Sequence, residues 1–195
     1  MPSDRPPRGS GIFARDPHKS EIAGHFDFFE VLRHEVTSTH GSARHCFTLE
    51  MPDWVTVVAV TDARSFVLVR QHRHGVDAET LETAGGIINP GEDPAEAALR
   101  ELREETGYVA EIAEPLGWVH PNPAIQSNRC HMFLARGARD TGALACDEHE
   151  ITAPVLLDEA GLAAAMTDGQ ITHALVLVAL HRALAGLQHG GTRLG

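Results

Sequence analysis

The sequence predicts an α/β fold, a mixed β-sheet between helices, with a β-rich appendage on its N-terminal side. Three observations predict it. Two runs, residues 55–60 and 66–69, are apolar and Val-rich throughout, as in strands buried on both faces. Stretches of helical periodicity are interspersed with strand-like ones without strict alternation, the pattern of helices packed on a mixed sheet. Residues 22–52 alternate apolar and polar positions in the period of half-buried strands.

Residues 1–20 are rich in Pro, Gly, Ser, Arg and Asp, cannot offset the entropy of ordering, and are expected to form a flexible tail. Residues 21–52 follow as the β-rich segment, and residues 53–190 form the main domain. The two Val-rich runs are separated by residues 61–65, so they form a hairpin with a short loop. A loop through Gly85, Gly86, Pro90 and Gly91 leads to a helix with Asp93 as N-cap, Pro94 at its first position, Glu96 at its third and Gly107 at its end. Residues 110–120, 130–137 and 155–157 read as further strands. Asp158 caps a helix running to about Thr167, ended by Gly169, and a final apolar helix covers residues 173–187. Its near lack of basic residues favours packing on the sheet over lying on a membrane.

The formal charge of −11, with one lysine (Lys19) in 195 residues, argues against a nucleic-acid partner, whose phosphates draw affinity from clustered Lys and Arg. Cys46, Cys130 and Cys146 match neither a disulfide framework nor a zinc pattern. No run approaches a membrane span, and the opening MPSDRPPRGSG lacks the apolar core of a signal peptide, so a cytoplasmic location is expected. His72, His74, His120, His131 and His149 share no ligand spacing, and structural roles are expected for them. Trp54 and Trp118 read as core or rim residues, with base stacking by Trp118 or His120 as the alternative.

On a helical wheel, Glu101, Glu104 and Glu105 fall within roughly 100° of one another, opposite an expected core stripe of Ala95, Ala98, Leu99 and Leu102. Like charges at these spacings cost a few tenths of a kcal/mol per pair unless something positive sits between them. Arg100, four residues from both Glu96 and Glu104, offers part of that compensation. Taken alone, the run reads either as a solvated face or as a hard-cation site of carboxylate oxygens. The glycine loop, which lets backbone approach a ligand closely, shifts the balance toward the cation.

Gly86, Glu92, Arg100, Glu101, Leu102, Glu104, Glu105 and Gly107 reproduce the spacing of the Nudix box. A chance match has a probability on the order of 10⁻⁸. The sequence thus resembles the Nudix hydrolases, with Tyr108 aromatic where an aliphatic residue is usual. The resemblance implies an α/β/α sandwich that hydrolyses a nucleoside diphosphate linked to another group, using Mg²⁺, or Mn²⁺ in its place. It implies Glu101 and Glu105 as the main metal ligands, Glu104 as a third ligand or a holder of metal-bound water, and the Gly85 carbonyl as another. Arg100 and Glu92 would orient these carboxylates.

Residues 26–187 are similar to the branch acting on ADP-ribose and other nucleoside diphosphate sugars. LVRQHRHG and LETAGG carry the likeness, with Pro123 sixteen residues beyond Gly107, while Ala124 replaces the branch's usual glycine. The likeness implies that Arg73, Glu82 and Pro123 line the substrate pocket, that Glu150 or Glu148 assists as general base, and that the N-terminal strands form a homodimer. The expected products are a nucleoside monophosphate and a sugar phosphate. The alternative is a nucleotide-sugar sensor that keeps the box without turnover; the intact glutamates speak against it, and the shortage of basic residues speaks against mRNA decapping.

Overall fold

The computed structural model describes residues 13–142 and 153–188. The chain divides into two compact units, Met1–Pro52 with His120–Asn128, and Asp53–Val119 with Arg129–Gly195.

In the first unit, strands β1 (Phe13–His25), β2 (Glu30–Ser38) and β3 (Ala43–Glu50) form an antiparallel sheet in that order. The expected tail therefore does not extend through residue 20. From Phe13 the backbone pairs with β2, beginning at Phe13↔Ser38, with a register irregularity between Arg15 and Ser20. Ladder hydrogen bonding supplies what apolar content does not, which is why composition missed it. Residues 26–29 form the turn, where Phe26 N–H donates to the Phe29 carbonyl (3.0 Å) and the two rings stack at 4.8 Å. His34 is fully buried, with Ser20 Oγ at Nδ1 and Thr48 Oγ1 at Nε2, both 2.7 Å. The segment His120–Asn128 belongs here: Leu49 N–H donates to the Ile125 carbonyl (2.7 Å), and Ser127 Oγ to Glu50 (2.7 Å).

The second unit contains β4 (Trp54–Val60), β5 (Phe66–Arg73), β6 (Ala78–Glu82), α1 (Pro94–Thr106), β7 (Tyr108–Val109), β8 (Ala113–Val119), β9 (Cys130–Arg136), β10 (Arg139–Asp140), β11 (Ala153–Leu157), α2 (Glu159–Thr167) and α3 (Ala174–Gln188). The main sheet runs β11-β5-β4-β9-β8, with β6 also on β5. It is mixed, because β4 and β9 are parallel and the other pairs antiparallel. Alternate residues of a strand face opposite sides. Val58, Leu68, Met132 and Leu134 therefore pack with Leu162, Leu180 and Ala183 of α2 and α3, while Val55, Val57, Val67 and Phe133 pack with Ala97, Ala98 and Leu102 of α1. The sheet is thus covered on both faces, and the apolar final helix lies on it as expected. No helix among the described residues is long and apolar enough to cross a membrane.

Helix α1 has the ends its sequence predicts. Asp93 is extended (φ −71°, ψ 134°) and accepts from Ala95 N–H (2.8 Å), and Pro94 opens the helix. Gly107 closes it in the left-handed conformation (φ 73°), donating to the Arg103 carbonyl (2.9 Å). The core stripe differs from expectation: Ala97 joins Ala98 and Leu102 in the buried face, Ala95 and Leu99 are half-buried, and Glu101 and Glu105 are themselves buried.

Candidate active site

Gly85 and Gly86 lie against the start of β4. Val55 N–H donates to the Gly86 carbonyl (2.9 Å), and Gly86 N–H returns to the Val55 carbonyl (3.1 Å). This leaves no room for side chains. A Cβ on Gly85 would collide with the Val55 carbonyl, and one on Gly86 would lie 2.5 Å from Glu101 Oε1. The glycines thus let the loop close over the α1 face that carries Glu101 and Glu105, which explains the burial of these glutamates (8% and 4% exposed). Glu105 Oε2 accepts from Gly85 N–H (2.9 Å), tying helix to loop.

Arg100 is the hub of the remaining charges. Its Nη1 donates to Glu101 Oε1 (2.7 Å) and Glu104 Oε2 (3.1 Å), and its Nη2 to the Ile87 carbonyl (3.1 Å). Its Nε and Nη2 take both oxygens of Glu92 (2.7 and 3.0 Å). Glu92 is held in turn by Asn89 N–H (2.9 Å). The guanidinium beside it, helped by that amide, pulls the Glu92 carboxyl down to about 2. The same contacts push the Arg100 pKa upward. Of the two partners its helical spacing offers, Arg100 thus bonds Glu104 and not Glu96, and it adds Glu92 and Glu101.

Two guanidiniums, that of Arg100 and that of Arg103 with its Nη2 3.7 Å from Glu104, face the four carboxylates of Glu92, Glu101, Glu104 and Glu105. Glu104 and Glu105 also sit in the last turn of α1, where the helix dipole disfavours negative charge. A hard divalent cation, which takes oxygen ligands, suits this donor set. As the side chains stand, no three His, Cys, Asp or Glu groups among the described residues converge tightly enough to enclose an ion. Arg100 stands among three of the carboxylates instead.

Arg73 and Glu82 meet on neighbouring strands β5 and β6. Nε and Nη2 of Arg73 donate to the two carboxylate oxygens of Glu82 (2.9 and 2.8 Å), and Thr80 Oγ1 donates to Oε1 (2.7 Å). Glu82 is 2% exposed. Burial raises its carboxyl, but the Arg73 fork and the Thr80 hydroxyl outweigh it and hold the group below the usual carboxylate range. Pro123 is exposed in the segment grouped with the N-terminal strands. Glu148 and Glu150 lie outside the described residues.

Residues 51–175 match the family described as NUDIX domain. The chain belongs to the Nudix family. It is 36% identical over 112 residues to the methanol dehydrogenase activator of Bacillus methanolicus, covering 56% of this chain and 60% of that one. It is 34% identical over 101 residues to the ADP-ribose pyrophosphatase of Bacillus subtilis, covering 52% and 55%. The matches thus span little more than half of these relatives' own lengths. A crystal structure of an ADP compounds hydrolase shares the fold, with a TM-score of 0.80, 24% identity, and coverage of 91% of this chain and 96% of that one. Nudix hydrolases in general use divalent cations.

The structure also joins residues that the sequence left apart in this Nudix domain. The Arg129 guanidinium carbon lies 4.2 Å from the Trp118 ring centroid. Asp53 accepts from Arg129 N–H (2.8 Å) and stands 3.3 Å from His131 Nε2. Burial raises the Asp53 carboxyl, but these two partners bring it below its ordinary value. Nothing in the spacing of His131 pairs it with Asp53, because the parallel register of β4 and β9 makes that contact.

Proposed function

We propose that the protein hydrolyses the pyrophosphate bond of ADP-ribose or a related nucleoside diphosphate sugar in the presence of Mg²⁺, or of Mn²⁺ in its place. Water adds to one phosphorus, the bridging P–O bond breaks, and a nucleoside monophosphate and a sugar phosphate leave. The observation that carries the reading is the hub of Arg100, Glu92, Glu101 and Glu104 beside the Glu105–Gly85 bond. The ADP-ribose pyrophosphatase among the relatives supports the substrate class.

Glu101, Glu104, Glu105 and the Gly85 carbonyl would hold the cation, which when bound supplies charge neutralisation at the diphosphate and a more acidic water. Arg100 and Glu92 orient these carboxylates. Burial of Glu101 and Glu105 keeps their oxygens from bulk water, where a cation would bind less strongly. Arg73, fixed on Glu82, offers a cationic face for a substrate anion, and Glu150 serves as general base. The N-terminal sheet, with Phe26, Phe28 and Phe47 each more than half exposed, is the surface through which the chain pairs into a cytoplasmic homodimer.

The test is incubation with ADP-ribose, GDP-mannose, UDP-glucose, ADP-glucose and NADH, with Mg²⁺ or Mn²⁺, and chromatography of the products. Release of a monophosphate and a sugar phosphate from at least one is expected. Failure to cleave any would overturn the reading and leave a nucleotide-sugar sensor.

A further inference from the structure

Trp118 is 39% exposed, although it lies in a strand of the main sheet. Its position follows from register. Cys130 and Met132 of β9 point into the core under α2 and α3, so His131 between them faces the α1 side. Trp118 lies opposite His131 in the β8–β9 ladder, and His131 lies opposite Val55 in the β4–β9 ladder. Val55, His131 and Trp118 therefore form one row across the α1 face. Val55 is the residue that bonds Gly86, and Trp118 lies two strands from it, about 10 Å away. That is the order of distance a nucleoside spans.

The group is held rigidly. Arg129 caps the Trp118 ring, its own N–H is fixed by Asp53 Oδ1, and its carbonyl accepts from Trp54 N–H (2.8 Å). The Asp53 carbonyl accepts from Ile88 N–H (3.0 Å), which links the platform to the glycine loop. On the other side, Arg182 Nη1 donates to the Leu116 carbonyl (3.1 Å), fixing the β8 bulge at Gly117, whose φ is 90°. A partly exposed indole already stacked on a guanidinium is a preorganised π-surface. It receives another flat ring without the entropy of ordering a loose side chain.

We infer that Trp118 and Arg129 form a stacking platform for the base of the nucleotide, the base adding to the indole surface that remains exposed. The inference rests on reading the site as one for a nucleoside diphosphate, and it names Trp118 and Arg129 as specificity residues. Stacking tolerates every base, because each has a π-face, so the platform recognises the presence of a base rather than its identity.

The test has two arms. In the first, AMP is titrated without metal while tryptophan fluorescence is read: AMP should quench the wild-type protein, ribose 5-phosphate should not, and Trp118→Phe, which keeps Trp54, should lose the quench. In the second, Trp118→Ala and Arg129→Ala should raise KM for the best base-bearing substrate by about tenfold or more. Both should leave KM unchanged for a diphosphate with ribose at each end. An undiminished quench in Trp118→Phe, or an unchanged KM in Trp118→Ala, overturns the platform. If AMP quenches through Trp118 while no diphosphate is cleaved, the hydrolytic reading fails and the platform stands.

Discussion

Arg100 grips both oxygens of Glu92, with Nε 2.7 Å from one and Nη2 3.0 Å from the other. The pair anchors the glycine loop to α1, and it carries a pH signature. The Glu92 carboxyl is pulled from 4.5 to about 2, chiefly by Arg100. A depressed folded-state pKa gives a stabilisation that is complete above the unfolded value and is lost as pH falls through the folded one. Urea unfolding of wild type and Glu92→Gln should differ by about 1.5 kcal/mol near neutrality, with the gap closing as pH drops from about 4.5 to about 2.

Glu105→Gln keeps an acceptor for Gly85 N–H while removing the charge a cation needs. Mg²⁺-dependent hydrolysis should fall at least about 100-fold, with unchanged far-UV circular dichroism. Mg²⁺ at about 100 times its dissociation constant should stabilise the wild type by about 2.7 kcal/mol, and the variant much less. Equal turnover in the two proteins would remove Glu105 from the mechanism.

Gly86→Ala adds one methyl group against Glu101 Oε1, 2.5 Å from where the Cβ must sit. Either the loop or the carboxylate has to give way. A misplacement of roughly 1 Å lowers turnover by about 100-fold. Steady-state kinetics should show that loss, and Mn²⁺ binding followed by paramagnetic resonance should weaken with it.

Arg73→Ala leaves the Glu82 carboxylate buried without its fork. Arg73 is 43% exposed, so the loss should be nearer about 2 kcal/mol than the ~3–5 kcal/mol of a fully buried pair. Glu82→Gln added to Arg73→Ala should recover part of it. Thermal denaturation of the single and double variants measures both, and equal melting temperatures would refute the coupling.

Much of this architecture was legible because it is local. The hairpin loop of residues 61–65, the Asp93 and Pro94 start of α1 and its Gly107 stop each depend on a few adjacent residues. The burial of Glu101 and Glu105 was not legible. A helical wheel separates a charged face from an apolar one, but here the Gly85–Gly86 segment closes over the charged side, a contact made through Val55 of a distant strand. The start of β1 escaped for a different reason: pairing of backbone amides leaves little trace in side-chain composition. The Trp118–Arg129 contact depends on the β8–β9 register, and the Asp53–His131 contact on that of β4 and β9, neither of which the sequence encodes at short range.

The parallel alignment of β4 with β9 also sets an order of assembly. Residues far apart in the chain must meet before Val55 has both neighbours, the glycine segment on one side and His131 on the other. Closing so long a loop is slow compared with forming α1 or the β4–β5 hairpin. During refolding of Trp118→Phe, whose remaining Trp54 pairs with Cys130 across β4 and β9, helical ellipticity should therefore appear before the tryptophan emission reaches its native value. A newly made chain would then carry a complete carboxylate helix before its main sheet has closed, and simultaneous recovery of both signals would refute that sequence of events.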